Sequence, residues 1–222
     1  MHVLLEALAE AVEFGKVDKK SPYPPQLRDK DGALELTVKA LEAGVPPSSI
    51  LEDALIPAMS KVGVKFSENK IFVPQMLMSA KAMGASMSGL KPFFVSGDLQ
   101  SKGTFILGTV KGDLHDIGKN LVSMMIEGSG WTIVDLGVDV STDRFLDALE
   151  RHPDAVIGLS ALLTTTMAHM EESVRRIKST HPNTVVLVGG APVNEAFCRT
   201  IGADFYAPDP QGAVEFLSRL AS

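Results

Sequence analysis

Residues 108–120 read Gly108-Thr109-Val110-Lys111-Gly112-Asp113-Leu114-His115-Asp116-Ile117-Gly118-Lys119-Asn120, and their types and spacing suit coordination chemistry. His115 stands between two carboxylates, Asp113 and Asp116. An imidazole that binds a metal gives its second N–H to an acceptor, which sets its tautomer and basicity, and Asp113 is available for that role. Gly112 and Gly118 permit close backbone approach, and Asp116 can cap a helix that starts near Ile117. The same residues also describe an ordinary capped turn with an incidental histidine, and the short pattern leaves both readings open.

The elements around this stretch give it a position. Thr104-Phe105-Ile106-Leu107 has the composition of a buried parallel strand, and Ile117, Leu121, Met124 and Met125 recur at helical spacing. The motif therefore sits on a strand-to-helix turn, at the carboxyl edge where open α/β sheets bind ligands. Further strands are expected near 132–135, 155–159, 184–188 and 204–206, with helices between and after them. That alternation predicts a parallel sheet covered on both faces. The third strand delivers Ser160-Ala161-Leu162-Leu163-Thr164-Thr165-Thr166 to the same edge, and Thr165 or Thr166 is expected to cap the next helix. The fourth ends in Gly189-Gly190-Ala191-Pro192, where a ligand could lie against bare backbone. In a flavodoxin-like strand order of 2-1-3-4-5, the turns after strands one and three flank the switch point.

The N-terminal part has a different texture. Leu4, Leu8, Ala11 and Val12 mark one helix, and Leu34, Val38 and Leu41 a second that closes at Gly44. Ser49-Ile50-Leu51-Glu52 has capping-box spacing and opens a third, which Pro57 should bend. Pro74 is placed to begin a fourth, rich in methionine and small residues. Four helices over residues 1–94 predict a small antiparallel bundle, followed by a linker at 95–102 and the α/β domain at 103–222. The proline-rich stretch 16–31 reads as a connecting loop without an assigned role.

The bulk numbers narrow the classes. With 222 residues and 45% hydrophobic composition, the chain can form one large domain or two small ones, each burying its own core. A formal charge of −6 without a basic cluster argues against nucleic acid or an anionic membrane as partner. No apolar run is long enough for a membrane span and no secretory leader is evident, so a cytoplasmic protein is expected. A single cysteine, Cys198, excludes an internal disulfide and a thiolate metal cluster. His2, His152, His169 and His181 lack partner groups at ligand spacing, and none is expected to bind metal.

Asp113-Leu114-His115-Asp116-Ile117-Gly118, then Ser160-Ala161-Leu162, then Gly189-Gly190, closely resembles the cobalamin-binding module of methionine synthase and the corrinoid proteins of methyltransferase systems. The likeness extends to Val62-Gly63-Val64-Lys65-Phe66 and Ile71-Phe72-Val73-Pro74-Gln75-Met76, which are similar to the family's helical cap. The resemblance implies that His115 is the lower axial ligand to cobalt, replacing the cofactor's own dimethylbenzimidazole. The displaced nucleotide tail would lie beside Ser160, Leu162, Thr164, Gly189 and Gly190. Asp113 would hold the outer imidazole nitrogen, with Thr166 completing the relay, and Phe66, Val73 and Met76 would shield a methyl group on cobalt.

The resemblance further implies a methyl carrier rather than a self-sufficient enzyme, since the chain has no barrel to bind donor and acceptor. One methyltransferase would load the methyl group and another remove it, with the cap swinging aside about the linker near Gly97. The donors in such systems are methanol, methylamines, betaines or methoxylated aromatics; the acceptors are tetrahydrofolate or a thiol coenzyme, and a reductive activator maintains the cobalt. A cobalamin-dependent light or ligand sensor is the first rival, although the only tryptophan, Trp131, lies outside the cap. A flavodoxin-like or receiver domain without cobalamin is the second, and it leaves His115 and the cap unexplained.

Overall fold

The computed structural model describes residues 2–221. These divide into a helical unit, 2–101 with 128–130, and an α/β unit, 102–127 with 131–221.

In the helical unit, α1 (His2–Glu13), α2 (Ala33–Glu42), α3 (Pro47–Ser49), α4 (Ile56–Ser67) and α5 (Val73–Ser96) form the expected bundle. Its third member departs from the expected start. Helical structure begins at Pro47, whose fixed φ suits a first turn, so Ser49 lies inside the helix and makes no side-chain cap. Between α3 and α4 the chain widens into a π-helical turn, Ile50–Leu55. Pro57 follows at once, in the first turn of α4. A proline has no N–H to donate and its ring crowds the carbonyl four residues back, so the irregularity falls on the turn before it.

α5 continues through Ser96 to a left-handed Gly97, at φ +85°, so Val95 and Ser96, expected in the linker, belong to the helix. Its small residues serve close packing. A Cβ on Gly15, two residues past α1, would stand 2.6 Å from Met78 Cβ of α5, and one on Gly89 of α5 would stand 3.3 Å from Thr37 Cγ2 of α2. Ser79 Oγ donates to the Glu13 carbonyl at 2.9 Å, which ties α5 to the last residue of α1. The proline-rich stretch is ordered by its ends. Ala33 N and Leu34 N donate to the carbonyls of Lys16 and Val17, and the fully buried Lys16 gives Nζ to the Ser21 carbonyl at 2.5 Å.

The α/β unit is a five-stranded parallel sheet in the order β2-β1-β3-β4-β5, with β1 (Thr104–Thr109), β2 (Thr132–Asp135), β3 (Val156–Ser160), β4 (Val186–Gly189) and β5 (Phe205–Ala207). The helices are α6 (Ile117–Gly128), α7 (Thr142–Arg151), α8 (Met167–Thr180), α9 (Glu195–Ile201) and α10 (Pro210–Leu220). Ile106, Ile157, Leu159, Val186 and Val188 on one sheet face pack with Phe145, Leu149, Met170, Val174 and Ile177 of α7 and α8. Gly108 makes room for that layer, since a Cβ there would meet the Phe145 ring at 2.7 Å. In register, Thr109 of β1 stands beside Ser160 of β3, Ser160 beside Gly189 of β4, and Gly189 beside Ala207 of β5. The carboxyl edge of the sheet is thus a row of small residues.

Candidate cofactor site

The turn after β1 is held by its neighbours on both sides. Thr109, fully buried at the end of the strand, gives Oγ1 to the His115 carbonyl at 2.9 Å. Gly112 adopts φ +79°, which a side chain rarely allows, and its N–H donates to Asp139 Oδ1 at 2.7 Å. Asp139 N in turn donates to the Asp113 carbonyl at 3.0 Å. The loop after β2 therefore clamps the histidine-bearing turn.

Asp113 is 0% exposed and is the hub of the site. Its Oδ1 accepts from His115 Nδ1 at 2.8 Å and from His115 N at 3.1 Å. Its Oδ2 accepts from Leu162 N at 2.8 Å, Leu163 N at 3.1 Å and Thr166 Oγ1 at 2.8 Å. Burial alone pushes this carboxyl up; the Leu162 N–H, the His115 side chain, the His115 N–H and the Thr166 hydroxyl outweigh it and hold the group well below the usual carboxylate range. A carboxylate can only accept, so Nδ1 of His115 carries the proton of that contact, and in the neutral ring Nε2 is the nitrogen with the lone pair. The imidazole is 51% exposed, with that lone pair outside the hydrogen-bonded hub.

Several expected side chains take other roles. Thr166 stands at the N-terminus of α8 but makes no side-chain cap there; its hydroxyl is engaged with Asp113 and with the Leu163 carbonyl at 2.8 Å. Donation to the buried carboxylate sets the rotamer of Thr166, and its oxygen accepts no N–H from the first turn of α8. Asp116 Oδ2 accepts from Asn120 Nδ2 at 3.1 Å. Gly118 borders open space, where a Cβ would meet nothing within 4 Å. Ser160 closes β3, Leu162 and Thr164 are exposed on the following turn, Gly189 ends β4 and Gly190 follows it. A Cβ on Gly190, at φ +122°, would stand 1.8 Å from the Ala161 carbonyl oxygen. The turns after β3 and β4 thus run close together there, joined by the Ala161 N–H donating to the Gly189 carbonyl at 3.2 Å.

Phe66, Val73 and Met76 lie in the helical unit, Phe66 and Val73 half-buried and Met76 at 1% exposure. In the same stretch Val64 and Phe72 are exposed at 40% and 62%. Sequence reasoning missed Thr109, Asp139 and Leu163 in the turn's support, and the exposed apolar side chains Leu114, Ile117 and Leu163 beside the histidine. Thr109 and Asp139 had a faint signal: a polar end to an apolar strand, and an Asp two residues after a Gly beyond the second strand. Among the described residues no cluster of three His, Cys, Asp or Glu side chains could hold a metal ion alone.

A B12 binding domain model matches residues 103–215, and a second B12 binding domain model matches residues 28–91. The chain belongs to the B12-binding family. It is 39% identical over 188 residues to dimethylamine corrinoid protein 1 of Methanosarcina acetivorans, covering 83% of this chain and 88% of that one. The methanol:cobalamin methyltransferase complex MtaBC of Methanosarcina barkeri is similar in structure, with a TM-score of 0.82, 29% identity, and coverage of 99% of this chain and 80% of the other. A cobalamin-binding protein of Desulfitobacterium hafniense DCB-2 aligns with a TM-score of 0.74 and 29% identity over 97% of each chain. The chain is a corrinoid protein of the kind found in methyltransferase systems, and its cofactor is a corrinoid. Half-exposed His115, the apolar Leu114, Ile117, Leu162 and Leu163 around it, and the open space at Gly118 fit a flat, largely apolar macrocycle. No helix among the described residues is long and apolar enough to cross a membrane.

Proposed function

We propose that this chain holds its corrinoid through His115 Nε2, with the cofactor's own base displaced into the sheet edge, and carries a methyl group between two methyltransferases. The observation that carries the reading is the Asp113–His115 contact, which leaves Nε2 as the lone-pair nitrogen. When bound, the corrinoid supplies a cobalt centre that accepts and releases a methyl group. The chain's residues govern the ligand. Asp113 keeps the proton on Nδ1, and Thr166 together with the Leu162 and Leu163 N–H groups spreads the negative charge of that carboxylate. Ser160, Thr164, Gly189 and Gly190 leave room for the nucleotide tail, and Phe66, Val73 and Met76 belong to the unit proposed to shield the methyl group.

The dimethylamine relative and the methanol complex support a donor-side methyltransferase as one partner, with a methylamine or methanol as donor class. An acceptor-side enzyme using tetrahydrofolate or a thiol coenzyme, a reductive activator and a cytoplasmic setting complete the proposal. The decisive experiment is electron paramagnetic resonance of the reconstituted cobalt(II) protein, grown with natural or with 15N-labelled histidine. Labelling should turn the superhyperfine triplets into doublets, and His115→Ala should abolish them. Triplets that survive labelling would mean that the cofactor's own base is still coordinated.

A further inference from the structure

The two faces of the sheet differ in how they are closed. α7, α8 and α9 seal the face that carries Ile106, Ile157, Val186 and Val188. Side chains alternate along a strand, so Thr109, Ser160, Gly189 and Ala207 look to the other face, in register across four strands. α10 lies on that second face, because Phe205, two residues before Ala207, stacks on Phe216 of α10 with ring centroids 4.2 Å apart. Gln211 is in the first turn of α10, four residues beyond Ala207, and only 6% exposed. Its Nε2 donates to Glu215 Oε1 at 3.1 Å, which fixes the orientation of the amide. Its Oε1 is buried and has no hydrogen-bond partner. A buried carbonyl without a donor is costly, and native proteins seldom keep one without a use.

We infer that Gln211 recognises the nucleotide tail of the corrinoid, Oε1 accepting a hydrogen bond from an O–H or N–H donor carried by that tail. The inference rests on the proposed displacement of the tail, which alone brings a donor to the row of small residues beside α10. Two parts of the tail carry such a donor: the ribose, through its free hydroxyls, in every complete corrinoid, and the terminal base where it bears a hydroxyl or amino group. Gln211 is thus a selectivity residue for complete corrinoids over those lacking the tail.

The test titrates the full-length apoprotein with cobinamide, which has no nucleotide, with cobalamin, and with a corrinoid whose benzimidazole is hydroxylated, following absorbance at equilibrium. Gln211→Met, and Gln211→Ala as a second variant, should weaken binding of complete corrinoids about 3- to 10-fold and leave cobinamide unchanged. Cobinamide binding also reports that each variant is folded. A loss shared by cobalamin assigns the donor to the ribose; a loss confined to the hydroxylated form assigns it to the base. Equal losses for all three ligands, or no loss in either variant, would overturn the inference while leaving the proposed function intact. If cobalamin bound to the wild type retains its own base on cobalt, the proposed function itself fails.

Discussion

Thr166 Oγ1 meets Asp113 Oδ2 at 2.8 Å across a separation of 53 residues, while the other oxygen of the same carboxylate takes His115 Nδ1 at 2.8 Å. One buried charge therefore joins the turn after β1 to the turn after β3 and orients the imidazole at the same time. Stability and ligand geometry share this group, and they can be separated by substitution.

Asp113→Asn replaces one acceptor oxygen by an NH2 that must face donors, whichever way the amide turns. Leaving such buried groups mismatched costs about 2–4 kcal/mol. The apoprotein's thermal midpoint should fall by roughly 10 °C. Calorimetry checks this without any cofactor.

The same carboxylate sets an acid limb. Its folded-state pKa lies below the ordinary value of 3.8, so the unfolded chain binds the proton more readily. The stability it contributes is fully present above the ordinary carboxylate range and is lost as pH falls through and below that range. Denaturant titrations from neutrality to acid should show the wild type losing more stability than Asp113→Asn below about pH 4. Parallel curves for the two proteins would contradict the depressed pKa.

Thr166→Val removes one of the donors to Asp113, whereas Thr166→Ser keeps it. The valine variant should lose about 1 kcal/mol in urea unfolding, and the serine variant much less. Because a weaker donor set lets the folded pKa rise, the valine variant should also show a smaller stability gain between acid and neutral pH.

Two glycines should part company. Gly190→Ala forces a Cβ to 1.8 Å from the Ala161 carbonyl oxygen at φ +122°, and should cost at least about 2–3 kcal/mol in apoprotein stability. Gly118→Ala meets nothing within 4 Å in α6, so its midpoint should hold or rise. If that open space receives the cofactor, Gly118→Ala should still weaken corrinoid binding by roughly tenfold, a loss of about 1.4 kcal/mol. Equilibrium titration of both variants separates the two effects.

Local chemistry along the chain was enough to determine the alternating strands and helices, the four-helix N-terminal part, and the turn that presents His115. Apolar periodicity and glycine placement act over a few residues and need no knowledge of distant partners. The order β2-β1-β3-β4-β5 is the flavodoxin-like one that the sequence left as a condition, because right-handed crossovers are equally compatible with the Rossmann order. The π-helical turn lies immediately before Pro57, and α5 runs on through the exposed Val95 and Ser96 until the left-handed Gly97 ends it. What the tertiary structure alone decided is where each hydrogen bond goes. Thr166 has the sequence of a helix cap, yet a buried carboxylate from another turn claims its hydroxyl, and Asp139 supports Gly112 from a loop 27 residues away. Such choices depend on which donors and acceptors the folded chain brings within reach of each other.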